Sequence, residues 1–270
     1  MIPAPFEYLR AHDVAHALDL LREHGDEAKL LAGGHSLLPM MKLRLARPTV
    51  LIDIAELADL DYVRVDGDTL SVGALATHAR VGEAELVRAE APLIAHSASL
   101  IGDPQVRHRG TIGGSLAHAD PAADLPMAVL AAGATLVLEG PAGRREVDAD
   151  DFFTGFFTTA LEPDEILVEI RLPRRAGEPW GYEKFVRRSN DWAIVGVATV
   201  AGRVALANMG SAPLRAAETE RALAAGAGID AAAELAAENT DPVSDLHADP
   251  AYRRHLARVL VARALSSAPG

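Results

Sequence analysis

The chain has 270 residues, 38 acidic against 26 basic side chains, a formal charge of -12, and no cysteine. That length fits one large domain or two modest ones, and it can bury a core without staples. Zero cysteine excludes disulfides, iron–sulfur ligation by this chain, cysteine-type zinc sites and thiol nucleophiles, and the acidic balance argues against a nucleic-acid partner, which needs a basic footprint.

In chain order, Asp13 is placed to cap a helix in which Val14, Ala17, Leu18 and Leu21 recur at helical spacing, ending near Gly25. Lys29 to Ala32 predicts a short buried strand, broken by Gly33-Gly34. Ser36 is a good N-cap for a helix over 37–45, with Pro39 in its first turn, where a missing N–H costs little. Thr49 to Ile54 predicts a second strand, so the first 54 residues read as a β-α-β-like unit. Val63 to Val65 and Leu70 to Val72 flank Asp66-Gly67-Asp68 and predict a hairpin. Ala91 to Leu100 predicts a helix. Gly102 to Asp124 reads as one long, glycine-punctuated loop, a kind more often functional than accidental.

Met127 to Ala132 predicts a helix, and Thr135 to Leu138 and Glu165 to Leu172 predict strands. The apolar run from Met127 to Leu138 is too short to span a bilayer. Pro173 to Pro179 is a candidate linker. Beyond it, Phe185 to Arg187, Ala193 to Val200 and Val204 to Met209 suggest an antiparallel meander, followed by alanine-rich helices ending in Tyr252 to Leu265. Strands first and helices afterwards predict an α+β C-terminal part. The opening MIPAPFEYLR has no basic stretch ahead of an apolar one, so no secretion signal and a cytoplasmic location are expected.

Two glycine pairs carry the chemistry. Ala32-Gly33-Gly34-His35-Ser36 lies between a predicted strand and helix. Paired glycines let backbone N–H groups converge on an anion, and the helix start adds positive dipole. Read alone, a phosphate cradle and a plain tight turn are about equally supported. Thr111-Ile112-Gly113-Gly114-Ser115 offers the same chemistry with hydroxyls at both ends. The motifs are neither a Walker A loop nor G-x-G-x-x-G. Two such loops suit a ligand whose diphosphate both enclose. A Cβ introduced at Gly33 is expected to obstruct that diphosphate while leaving the fold largely intact.

These residues resemble a known family. Met1-Ile2-Pro3 with Phe6 and Tyr8, the run LLAGGHSLLPMMKLRLA, TIGGSLAHADPAADLP, Tyr182-Glu183-Lys184 and Asp191-Trp192-Ala193 are similar to the flavin-binding medium subunits of the molybdenum hydroxylases. The pattern is most like that of the aerobic carbon monoxide dehydrogenases. The resemblance covers essentially the whole chain. It implies an α+β fold: a two-part FAD-binding domain of the PCMH type over 1–176 (subdomains about 1–54 and 55–176), then a C-terminal antiparallel sheet with helices over 177–270. It implies FAD as cofactor, held by Leu31, Ala32, Gly33, Gly34, His35, Ser36 and Leu37, and by Thr111, Gly113, Gly114 and Ser115. Ile101, Gly102, Asp124, Leu167 and Lys184 are implied as further contacts. It also implies an iron–sulfur small subunit and a molybdenum-cofactor large subunit in a dimer of heterotrimers, and an external electron acceptor. No catalytic residue beyond the flavin, and no metal, is implied on this chain.

Other residues weigh against plainer readings. Lysine is rare, occurring only at positions 29, 42 and 184, so Lys184 stands out; without the resemblance a surface lysine is favoured. His118 and Asp120 with Asp124 nearby are a weak metal signal, and loop bracing is the favoured reading. Arg107 and Arg109 reach phosphate, face a partner, or stay solvated, with equal support. Trp192 either shields the flavin or packs at a boundary. A self-contained flavin oxidase and a cofactor-free scaffold are the competing functions, and the intact glycine pairs speak against the scaffold.

Overall fold

The computed structural model describes residues 2–267; Met1, part of the resemblance, lies with 268–270 outside the described residues. The first layer is an all-parallel sheet of β1 (Glu7–Arg10), β2 (Ala28–Leu31) and β3 (Val50–Asp53), in the order β1-β3-β2. The helix Val14–His24 precedes β2, capped by Asp13, whose carboxylate accepts from His16 N–H at 2.7 Å. It buries Ala17 and Leu21 with Ile52, as the spacing of its apolar residues requires. The expected β-α-β unit is present: β2, the helix Leu37–Lys42 and β3, with β2 and β3 parallel. β1 was not foreseen, because Glu7–Arg10 is largely exposed and shows no apolar alternation.

The second sheet is antiparallel. It comprises β4 (Val63–Asp66), β5 (Thr69–Gly73), β6 (Thr135–Gly140) and β7 (Gly143–Asp148). After the small hairpin of β8 (Phe153–Gly155) and β9 (Thr158–Thr159), it is completed by β10 (Ile166–Pro173), in the order β4-β5-β10-β6-β7. The expected hairpin is β4–β5. The stretch expected as one long loop over 102–124 is instead two short helices, Pro104–Arg107 and Ile112–His118, each started by a side-chain cap from Asp103 or Thr111. Glycines at 113 and 114 masked the second helix in the sequence, since glycine argues against helix interiors.

The third sheet is a meander of β11 (Trp180–Phe185), β12 (Val195–Val200), β13 (Arg203–Ala207) and β14 (Leu214–Arg215). Its first strand lies before the expected 185–187. All of β12 is buried, because both faces are covered. Ala198 and Val200 join the core that includes the helix Asp124–Ala132, while Val195 and Val197 join a second core with the helix Pro250–Ser266. The two-residue period of a strand makes this division. Pairing sets Tyr182 opposite Ala198 and Lys184 opposite Gly196, on the face of β11 that looks toward the helix Asp124–Ala132. Gly181, on the other face, lies so close to the helix Pro250–Ser266 that a Cβ there would overlap the Ala264 carbonyl.

Candidate cofactor-binding site

The first glycine segment leaves β2 and enters the helix Leu37–Lys42. The backbone N–H groups of Ala32, Gly33, Gly34, His35, Ser36 and Leu37 donate to no acceptor among the described residues. The Ser36 hydroxyl makes no cap bond, so the expected capping role is not fulfilled, and the helix ends at Lys42 with no need to reach 45. Nearly all buried backbone donors in proteins are paired. Here six consecutive half-buried or exposed donors stand open on one turn. Gly34 has φ +76°, the left-handed conformation that glycine adopts without strain.

Gly33 has a different reason to be glycine. A Cβ on it would overlap the carbonyl oxygen of Arg109 and come within 2.8 Å of Gly110 Cα. The first glycine turn therefore packs directly on the Arg109–Gly110 backbone. This corrects the expectation that a Gly33 side chain would merely obstruct a ligand: it would first push two protein segments apart.

The second glycine segment differs. Its N–H groups are already used: Ile112 donates to Ala76 O at 3.0 Å, Gly113 to Ala74 O at 2.8 Å, Gly114 to Thr111 Oγ1 at 3.1 Å and Ser115 to Thr111 O at 3.0 Å. Gly113 is glycine because a Cβ would meet Ala74 O at 2.7 Å. The backbone donors expected here are thus not free. What this segment retains is hydroxyl: Thr111 accepts from Gly114 yet keeps its own proton to donate, and Ser115 Oγ makes no hydrogen bond among the described residues.

Ile101 and Gly102 precede the helix Pro104–Arg107. Their carbonyls accept from Arg107 Nη1 at 3.0 and 3.2 Å. Arg107 therefore braces this backbone, an outcome outside the three uses weighed for it. Leu167 is buried on β10, and Ile101 packs against the same core.

Asp124 and Lys184 meet. Lys184 Nζ donates to Asp124 Oδ2 at 2.9 Å, and the Tyr182 hydroxyl donates to Asp124 Oδ1. Both members of the ion pair are buried, with side chains 9% and 4% exposed, so the surface reading of Lys184 is wrong. Burial lifts the Asp124 carboxyl above its ordinary range even though Lys184 and Tyr182 pull it down, and burial with the adjacent carboxylate holds Tyr182 well above its own. No hydrogen bond joins this cluster to either glycine segment among the described residues.

His118 packs against Phe157 with tilted rings, centroids 4.9 Å apart, and Asp120 accepts from Ala122 N–H at 2.9 Å; these contacts brace the chain. Trp192 is 57% exposed in the segment that precedes β12. His78, which no motif marked, is buried beside Gly110. Its neighbours Thr77 and Arg80 are polar as well, so nothing in the sequence set it apart.

The donor set fits a diphosphate. Six open N–H groups, two hydroxyls and a glycine turn of left-handed conformation suit FAD, the cofactor the resemblance implies. No helix among the described residues is long and apolar enough to cross a membrane.

Comparison with known proteins agrees with this geometry. Residues 4–175 match the FAD binding domain in molybdopterin dehydrogenase, and residues 180–268 the CO dehydrogenase flavoprotein C-terminal domain. The chain is 44% identical to the carbon monoxide dehydrogenase medium chain of Hydrogenophaga pseudoflava, over 99% of this chain and 98% of that one. It is 35% identical to the 6-hydroxypseudooxynicotine dehydrogenase complex subunit alpha of Paenarthrobacter nicotinovorans, over 99% and 96%. A solved carbon monoxide dehydrogenase from Hydrogenophaga pseudoflava superposes with a TM-score of 0.96 at 46% identity, covering 99% of this chain and 98% of that one.

Proposed function

The chain belongs to the family of FAD-binding medium subunits of the molybdenum hydroxylases, and from that premise we propose that it passes electrons from an iron–sulfur subunit to an external acceptor. The substrate of the whole complex is carbon monoxide, oxidised on a large molybdenum-bearing subunit. The near full-length likeness to carbon monoxide dehydrogenase medium chains supports that choice of substrate. The observation that carries the flavin role is the row of six open N–H groups from Ala32 to Leu37.

Bound FAD supplies the chemistry of accepting and releasing electrons singly or in pairs. This chain supplies binding, orientation and local charge. Backbone dipoles at 32–37 hold the diphosphate, a mode suited to an acidic protein with three lysines. The hydroxyls of Thr111 and Ser115 donate to phosphate oxygens. Gly113 and Gly114 act by seating Thr111, not by donating N–H. Ile101, Gly102 and Leu167 line the cofactor with apolar and backbone surface. The Asp124–Lys184–Tyr182 cluster presents a neutralised, hydrogen-bonded ion pair, so its role is to orient the cofactor and leave its charge unaltered. Residues 1–176 and 177–270 are the two domains of this reading, and the complex is a dimer of heterotrimers in the cytoplasm.

The test is to isolate the chain with and without the proposed iron–sulfur and molybdenum-bearing subunits. The expected result is a yellow complex whose flavin is bleached by carbon monoxide only when all three chains are present. Turnover of an organic substrate by the chain alone overturns the electron-transfer role. Bleaching by an aldehyde or N-heterocycle, and not by carbon monoxide, overturns the substrate.

A further inference from the structure

His78 lies at the start of the helix His78–Glu83, 4% exposed. Its backbone N–H donates to Gly110 O at 2.9 Å, and the neighbouring Ile112 N–H donates to Ala76 O, so residues 76–78 pair with 110–112 as a one-rung antiparallel bridge at Thr77 and Thr111. The His78 ring fills the place where a Gly110 side chain would be: a Cβ on Gly110 would meet His78 Cδ2 and Nε2 at 2.8 Å. The same Arg109–Gly110 peptide is the one on which Gly33 rests. One peptide is thus in contact with the imidazole and with the first glycine turn.

The Nδ1 of His78 is out of contact with solvent and meets no hydrogen-bond partner among the described residues. The titratable and charged groups that face His78 are His35 from the first glycine turn and Arg107 from the helix Pro104–Arg107. Arg107 is held by two carbonyls and cannot retreat from an added positive charge. Burial, with these two neighbours, keeps His78 uncharged down to about pH 4.

We propose that His78 is a positioning residue for the cofactor, a ring that holds the Arg109–Gly110 peptide against Gly33 and so sets the spacing of the two glycine segments. This rests on the reading of those segments as the FAD diphosphate site. His78 acts through Gly110 on the first segment, and through the 76–78 bridge on Thr111.

The experiment is a space exchange between two residues, read as the Kd for FAD from flavin fluorescence on flavin-stripped full chain, and repeated on the partner-bound complex. His78→Ala empties the space beside Gly110; Gly110→Ala puts a methyl into the ring. Each alone is expected to raise the Kd by about tenfold. The double variant puts the methyl into the emptied space and is expected to return to within about threefold of wild type, a non-additive cycle between touching residues. Phe152→Leu, a fully buried change outside this cluster, is expected to lower the melting temperature with the Kd unchanged. His78→Ala and Gly110→Ala binding FAD as wild type does, or a double variant no tighter than either single, overturns the proposal. If a single variant does not fold, the double variant decides: binding at the wild-type level supports the exchange, and no binding overturns it. Failure of the wild-type chain and complex to bind FAD would instead overturn the reading of the site itself.

Discussion

From Ala32 to Leu37, six successive backbone N–H groups donate to nothing among the described residues, whereas from Ile112 to Ser115 four successive N–H groups are all taken, by Ala76, Ala74 and Thr111. Both segments contain a glycine pair with a serine within two residues after it, and as sequence they offer the same chemistry. As structure, the first is an open set of donors and the second is a joint between elements. A glycine pair permits close approach without saying what approaches. At Gly33 and Gly113 the close neighbour is the protein's own backbone, at Arg109 and Ala74. The division of labour is between donors that wait for a ligand and a scaffold that holds hydroxyls in place.

Gly33→Ala strains this comparison most. The added methyl meets main chain, which cannot swing away, so the cost is set at about 4 kcal/mol, above the usual range for overpacking. Urea denaturation should show that loss, and FAD occupancy should fall with it because the two segments no longer meet. A variant of wild-type stability that has lost only FAD would return Gly33 to the role of a bare ligand contact.

The Asp124–Lys184 pair is a control outside both segments. Lys184→Met leaves a buried carboxylate with only the Tyr182 hydroxyl, and is expected to destabilise by about 3 kcal/mol at neutral pH. Asp124 is already raised above its ordinary range by burial, and loss of the lysine raises it further. The native state then binds a proton that the unfolded chain has released, so stability falls as pH rises from about 4 through the native value. The deficit of the variant should therefore be larger at pH 8 than at pH 5. A deficit independent of pH would show that the pair is not the source of the loss.

Gly113→Ala and Gly114→Ala separate packing from chemistry within the second segment. The first methyl meets Ala74 O at 2.7 Å, whereas the second meets only Thr111 Oγ1. We expect a loss of about 2 kcal/mol for Gly113→Ala. Gly114→Ala should lie near zero, since alanine's helix propensity offsets the contact. Equal effects in thermal denaturation would remove the distinction.

The order of the glycine pairs and the β-α-β unit were legible because each depends on neighbours in sequence. Continuous apolar runs likewise made the meander visible, and its register then placed Tyr182 and Lys184 on one face. What was not legible is long-range. Nothing in Gly33 announces that Arg109 rests on it, and nothing in Glu7–Arg10 marks a strand whose pairing partner lies some forty residues on. The helix Ile112–His118 was hidden because its stability comes from the Thr111 cap and from bonds to Ala74 and Ala76, which outweigh the propensity of two glycines. His78 was silent for the same reason: its meaning is a contact with Gly110, 32 positions away.

The smallest effects divide the two segments most cleanly. Thr111 Oγ1 accepts from Gly114 N–H and caps its helix, so Thr111→Val should cost about 1 kcal/mol of stability, the usual value of such a cap. Ser36 occupies the matching place before the helix Leu37–Lys42 but makes no cap bond. Ser36→Ala should therefore leave the denaturation midpoint within about 0.5 kcal/mol of wild type, the range of a neutral surface change. Its hydroxyl lies among open N–H groups, so any loss should appear in FAD affinity alone, by the few-fold factor of one hydrogen bond, about 1 kcal/mol. Measured side by side, Thr111→Val should move both stability and FAD affinity, and Ser36→Ala only affinity. A stability loss at Ser36 equal to that at Thr111 would mean that the first turn is also a joint, and that its open donors are incidental to binding.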